Sequence, residues 1–216
     1  YCRYCRNTLA IGDLIPIVSF VLHKGRCRYC STVLSWQYPL VELLTAACFT
    51  GTVWILRIDA TSLFMDAQSF LQLLTVLISV SAGIIIFISD LRYQIIPNYA
   101  VIILVITAAA SYFLIGHQEI SAFIYSVISS SALASILAAI WLLSRGRFIG
   151  LGDAKLTFAT SLLLGYPASI AAFLFSFWIG GISGIVLLAL RKKSLGDQVP
   201  FGPFILVGVL IVTFFF

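Results

Sequence analysis

Gly150-Leu151-Gly152-Asp153-Ala154-Lys155 sets an acid and an amine directly after two glycines, at the mouth of an apolar run that extends to Tyr166. Charge at the edge of hydrocarbon is costly and marks a functional site by default. Glycines flanking Leu151 leave the backbone free for close approach. The bland alternative is that Asp153 and Lys155 only mark a water-facing helix start. Against it stands a second acid, Asp90, which closes another apolar run, Phe70 to Ser89.

Working outward, the chain has 216 residues, 61% hydrophobic and 10% charged, where soluble domains carry about a quarter charged residues. The reading is an all-α polytopic membrane protein. After a polar block at 1–37 come seven apolar stretches: Tyr38 to Leu56, Phe70 to Ser89, Tyr99 to Ile115, Ile120 to Leu143, Ala154 to Tyr166, Ala168 to Leu190 and Phe204 to Phe216. Five are long enough to span. The fifth and seventh would form helices of about 20 Å against about 30 Å of hydrocarbon, so they need recruited flanks, a thinned bilayer or a re-entrant path.

Cytoplasmic loops carry the positive excess. Arg3, Arg6, Lys24, Arg26 and Arg28 precede the first stretch, and Arg92 follows the second. Arg145, Arg147 and Lys155 surround the fourth-to-fifth connection, and Arg191, Lys192 and Lys193 follow the sixth. The opposite loops hold only Arg57. This pattern puts the first block, Asp90 and Asp153 on the cytoplasmic side, with Arg92, Gly146 and Lys193 inward and Ser62 and Gln118 outward. Net charge +5 follows from topology and anionic lipid, and no nucleic-acid surface is required. The sequence opens at Tyr1-Cys2 without Met, so its natural start is expected upstream.

The polar block contains the identical tetrads Cys2-Arg3-Tyr4-Cys5 and Cys27-Arg28-Tyr29-Cys30, separated by twenty-one residues. Two such pairs suit one tetrahedral cation at about 2.3 Å per thiolate, as in zinc ribbons. Disulfides or redox pairs compete with this reading, but the cytoplasm keeps thiols reduced, so structural zinc on Cys2, Cys5, Cys27 and Cys30 is expected. His23 is read as a surface histidine and Cys48 as a small hydrophobe. Glu42, inside the first apolar stretch, needs a partner or a wet cavity, and either serves the active region or sits at the interface.

Between the second and third stretches lies Asp90-Leu91-Arg92-Tyr93-Gln94-Ile95-Ile96-Pro97-Asn98. Pro97 forces Ile96 out of the helical region and Asn98 is placed to cap the next helix, giving a short ordered turn with Asp90 at its entrance. Two spans later the chain returns to the same side at Asp153. Facing carboxylates titrate apart, one serving as base and the other as acid, which is the chemistry of aspartic proteases. No GxSxG, no HExxH and no Cys-His pair near the spans offers another hydrolytic chemistry.

Taken in order, the double CxxC block, Tyr38-Pro39-Leu40-Val41-Glu42-Leu43, Asp90 with Ile96-Pro97-Asn98, Gly150-Leu151-Gly152-Asp153-Ala154-Lys155-Leu156 and Pro200-Phe201-Gly202-Pro203 resemble the type IV prepilin peptidases, GxGD-type membrane aspartic proteases. The resemblance covers essentially the whole chain. It implies that Asp90 and Asp153 are a catalytic dyad removing cytoplasmic leader peptides from prepilin or pseudopilin substrates of pili, competence or type II secretion. It also implies an eight-span architecture in a prokaryotic plasma membrane, its first span without counterpart here. The domains follow as 1–37, the zinc segment, and 38–216, the peptidase. Many members also methylate the new N-terminus with S-adenosylmethionine, although no glycine-rich methyl-donor fingerprint is present in this sequence. Gly150 and Gly152 would permit close approach or simply pack helices. Lys155 would orient leader or dyad, or serve as a topology charge. Two other readings are a presenilin-like intramembrane protease and a zinc-responsive transporter or scaffold. The first expects its partner acid on the preceding span, and the second expects inverted repeats.

Overall fold

A computed structural model of the chain describes residues 1–56, 66–115, 120–191 and 199–215. Arg57, Ser62, Gln118, Lys192 and Lys193, used above for topology, lie outside them. The described residues form two compact units, Tyr1–Trp54 and Ile55–Phe216, and no strand occurs among them.

The first unit begins with a short 3-10 turn, Ile11–Leu14, and the helix α1, Val18–Leu22, and ends in α2, Gln37–Leu56. Phe20, Cys2 and Cys27 are the buried apolar side chains of its polar block. Phe20 meets the ring of Trp36 edge-on at 5.0 Å, next to the start of α2. One buried phenylalanine supplies about 2 kcal/mol, whereas ordering the backbone costs about 1–2 kcal/mol per residue. Apolar burial therefore cannot hold this block together by itself.

The second unit contains α3 (Ala67–Tyr93), α4 (Asn98–Ala110), α5 (Ile120–Ser144), α6 (Leu151–Leu164), α7 (Ala168–Ala189) and α8 (Gly202–Phe215). Asp66 caps α3 by accepting the N–H groups of Gln68 and Ser69, both at 3.1 Å. Gln94 ends it in the left-handed region, its N–H returning to the Asp90 carbonyl at 2.9 Å. The connection to α4 is short because Pro97 holds its own φ at −67° and keeps Ile96 extended.

Two expectations change here. Pro97 itself occupies the cap position of α4, and Asn98 is the first helical residue with its amide turned elsewhere. The third stretch is also no uniform spanning helix: after Ala110 it loosens into a π turn, Ser111–Ile115, leaving α2, α3, α5 and α7 as the described helices long and apolar enough to cross a membrane. The hydroxyl of Ser111 turns back to the Thr107 carbonyl at 2.9 Å, and Tyr112 donates to Ser126 Oγ on α5 at 2.7 Å, so side-chain bonds accompany the change of pitch.

α6 is central, packed by α4, α5, α7 and α8. Of its 14 residues, Asp153, Ala154, Leu156, Thr157, Ala159, Thr160, Ser161 and Leu162 are buried. That enclosure lets a helix of about 21 Å exist in a membrane protein without matching the bilayer itself. The core around it joins Ile86 of α3, Leu104 of α4, Leu156 of α6 and Ile205 of α8. Lipid tails are as apolar as these side chains, so close packing and hydroxyl bonds hold the helices. Ser79 of α3 donates to Thr107 of α4 at 2.7 Å. At the α7–α8 crossing a Cβ on Gly208 would collide with Ser176 and the Ala172 carbonyl.

Candidate active site and metal centre

Asp90 occupies the last turn of α3 and Asp153 the first turn of α6, and their side chains are 4% and 7% exposed as residues. Each carboxylate is fixed by one backbone donor. The N–H of Gly150, cap residue of α6, donates to Asp153 Oδ2 at 3.0 Å. The N–H of Gly202, first residue of α8, donates to Asp90 Oδ2 at 3.0 Å. Both acids thus sit against helix starts, where unpaired N–H groups favour negative charge.

Ile96 brings these pieces together. A Cβ on Gly152 would stand 3.2 Å from Ile96 Cβ, and one on Gly202 would stand 3.5 Å from Ile96 Cδ1. The isoleucine is therefore wedged between the residue preceding Asp153 and the residue holding Asp90. Both acids are thus tied to the same isoleucine, Asp90 through Gly202 and Asp153 through its neighbour Gly152. Facing buried acids can divide into a proton donor and a proton acceptor.

Of the other residues singled out in the sequence, Gly152 lies against Ile96, as described, and Gly150 supplies its N–H. A Cβ on Gly150 would lie 3.4 Å from Asp153 Oδ2, an ordinary contact, so sterics do not require glycine there. Lys155 and Asn98 are brought together, Nζ donating to Oδ1 at 3.3 Å. Pro97 shapes the turn that presents Ile96. Glu42 belongs to the first unit, where Oε2 accepts the N–H of Ile17 at 2.7 Å. Ile17 has φ +63°, a strained conformation for a β-branched residue, and Glu42 anchors it. Gly202 and Ile96 received no role from sequence reasoning. Gly202-Pro203 after a polar connection was the available signal for a helix start, and Pro97 the one for an extended Ile96.

A groove opens beside the same first turn of α6. α4 and α5 each pack along α6 but scarcely touch one another. The space between them amounts to about 690 Å³ and is walled by Val101 and Ile102 on one side and Ala134 and Ala138 on the other, over Phe158.

In the first unit the four thiols of Cys2, Cys5, Cys27 and Cys30 lie within 4.8 Å of one another. The two tetrads fold alike. In one, Arg6 N–H reaches the Cys2 carbonyl at 2.9 Å and Cys2 N–H the Asn7 carbonyl at 3.0 Å. In the other, Ser31 N–H reaches the Cys27 carbonyl and Cys27 N–H the Thr32 carbonyl, both at 2.9 Å. Arg6 and Ser31 are both left-handed, at φ +57° and +56°. Four sulfurs around one tetrahedral ion at 2.3 Å would stand about 3.8 Å apart, and Cys2 Sγ to Cys30 Sγ is 4.0 Å. The donor set and spacing fit a metal of the zinc class.

Thr32, through its hydroxyl at 3.2 Å and its backbone N–H, brings Cys30 down to about 6. For Cys5, the N–H of Asn7 works downward, but burial and the neighbouring sulfurs prevail and push it up to about 11. His23 stands apart from the sulfurs, with Nε2 at 3.4 Å from Asp13 Oδ1. Asp13 also accepts from Ala10 N–H at 3.0 Å and Tyr29 hydroxyl at 3.3 Å and lies 3.8 Å from Arg28. The Ala10 N–H first, then Tyr29, Arg28 and His23, hold its carboxyl below the usual range.

Residues 1–56 match the Bacterial Peptidase A24 N-terminal domain, and residues 76–185 match the Type IV leader peptidase family. The chain is similar to a prepilin leader peptidase/N-methyltransferase of Bacillus subtilis (strain 168), with 30% identity across 97% of the chain and 79% of the relative. It is similar to the protein of that name from Aeromonas salmonicida (strain A449), at 31% identity across 96% and 68%. A third relative of the same name, from Legionella pneumophila, is 27% identical across 99% and 71%. No solved structure matches the chain significantly.

Proposed function

Because the chain belongs to the type IV leader peptidase family, we propose that it cleaves the leader from prepilin-like substrates with Asp90 and Asp153 as its acid-base pair. The observation that carries this reading is the pair itself: two buried carboxylates at the ends of different helices, each held by one backbone N–H. In the proposed reaction the ionised member takes a proton from water as its oxygen bonds to the scissile carbonyl carbon. The protonated member then gives its proton to the leaving amine as the carbon–nitrogen bond breaks. Gly150, Gly202 and Ile96 position the acids, and Pro97 positions Ile96. Lys155 and Asn98 stand beside the substrate's path, and Glu42 keeps the first unit in shape.

By function we divide the chain into a cysteine segment, 1–37, and a peptidase, 38–216. The four cysteines would hold zinc, which would supply the folding free energy that one buried phenylalanine cannot. The positive-inside pattern supports a cytoplasmic side for the cysteine segment and for the acid pair, where a substrate's leader would reach the acids. N-methylation of the new N-terminus, with S-adenosylmethionine as donor, rests on the relatives' names. The groove beside α6 presents no acid that could take a ribose, and so does not fit that donor.

The test is co-expression with a tagged prepilin, reading the leader shift on a gel. Asp90→Asn and Asp153→Asn should each abolish the shift at equal expression, and the double variant should be no worse than either, because the residues act as a unit. Processing by either variant at near the unmodified rate would refute the dyad. A cleaved product one methyl group heavier by mass spectrometry would support the second activity.

A further inference from the structure

The groove between α4 and α5 begins where the acid pair is. Asn98 and Lys155 form its charged and amide-bearing end, joined at 3.3 Å, and Lys155 follows Asp153 by two residues on α6. Away from that end the walls are Val101 and Ile102 of α4 and the small residues Ser131, Ala134, Ser135 and Ala138 of α5, over Phe158, with the Ser135 hydroxyl bonded back to its own helix at the Ser131 carbonyl. On α5 the lining extends from Ser131 to Ala138, about 10 Å of helix or two turns. Helices pack at 8–10 Å between axes, and small residues allow the nearer distances. Two walls that share a floor helix yet scarcely meet leave the space that another helix would fill.

We propose that this groove seats the first two turns of the substrate's apolar helix, with the junction between leader and helix at the Asn98–Lys155 end. The proposal rests on the leader-peptidase reading and extends it from the reacting bond to the feature that selects the substrate. A partner suited to this site is apolar along its length and polar at one end, and that polar end lies beside the turn that carries Asp153. Its polar backbone groups at the junction meet Lys155 Nζ and the Asn98 amide, and its helical part meets the apolar wall of α4 and the small-residue wall of α5. Specificity would then reside in the helix as well as in the leader, since binding energy from parts remote from the reacting bond positions that bond.

The experiment uses the full chain in membranes, carrying Asp153→Asn so that substrate persists. A photoreactive benzophenone residue replaces Ile102 or Ser135, and Ile182, an exposed residue of α7, serves as the outside control. With a tagged prepilin present, illumination should join positions 102 and 135 to the first two turns of the prepilin's apolar helix and leave position 182 unjoined to it. Cross-links from 102 and 135 only to lipid, to another part of this chain, to a second copy or to the leader would overturn the proposal. Unmodified protein is assayed in parallel on the same prepilin. Failure to cleave it refutes the leader-peptidase reading, whereas cleavage without the helix cross-link refutes the groove alone.

A kinetic measurement makes the same distinction. Ala138→Phe fills the groove and should lower kcat/KM for prepilin, relative to a soluble peptide spanning the leader junction without the helix, by about tenfold or more. An equal fall for both substrates would overturn the proposal.

Discussion

Replacing Gly202 with alanine tests whether the Asp90 carboxylate is held in place by the start of α8. A Cβ there would stand 2.7 Å from Asp90 Oδ2 and 3.2 Å from its Cγ, about 0.7 Å short of the 3.4 Å at which ordinary contact begins. The obstacle is a carboxyl group already bonded to the backbone N–H of the same residue, so relieving the clash stretches the 3.0 Å hydrogen bond as well. A misplacement of about 1 Å costs about a hundredfold in rate, so Gly202→Ala should lower kcat about ten- to a hundredfold with little change in KM. Alanine is otherwise favoured over glycine in a helix by about 1 kcal/mol, so unfolding is not the expected cause of the loss. Gly152→Ala, facing Ile96 Cβ at 3.2 Å, should lose less, and Gly150→Ala, at 3.4 Å from Asp153 Oδ2 and with its donor intact, should stay within a fewfold of the unmodified rate. Purified variants in detergent, checked for equal thermal melting, would be assayed on one prepilin over a range of concentrations. Full activity of Gly202→Ala, or a loss at Gly150 exceeding that at Gly202, would refute the reasoning.

Elemental analysis of reduced protein should find one zinc per chain, falling when Cys27 and Cys30 become serine; intact disulfides without metal would exclude the site. Cysteine labelling in a background without native thiols should reach Arg92 and Gly146 from the cytoplasm, and outward labelling at Gly146 would separate the two acids. Asp13 is held below the usual carboxylate range by partners of the folded block, so its contribution is present above the unfolded value of about 3.9 and is lost as pH falls through the folded one. Asp13→Asn should therefore reduce the acid sensitivity of that block's hydrogen exchange between about pH 5 and pH 2. Equal acid sensitivity in both proteins would remove Asp13 from the account.

Local chemistry was legible from the start. Cys2 and Cys5, like Cys27 and Cys30, are brought together by turns of a few residues, and Asp90 and Asp153 stood out because charge interrupts hydrocarbon. What escaped depends on residues far apart in sequence. The donor to Asp90 comes from Gly202, 112 positions away, and no local pattern marks such a bond. Ile96 looked like any apolar residue of a turn until Gly152 and Gly202 were found on it. The π turn at Ser111 was hidden because an apolar run in lipid reads the same at either pitch. Asn98 is a good cap by composition, but Pro97 already satisfies the geometry, which leaves the amide for Lys155. Glu42 was recognised as needing a partner, and that partner is the backbone of a strained turn that the residue sequence does not announce.

The bond from Gly202 to Asp90 also sets a schedule. Synthesis proceeds from the amino end, so α3 and α6 enter the membrane with both acids while α8 is still on the ribosome. Until Gly202 arrives, Asp90 lacks its donor and Ile96 lacks one of its two walls. A newborn chain thus holds both acids in the membrane before Asp90 has its backbone donor, and the last of the described helices to be made completes the arrangement.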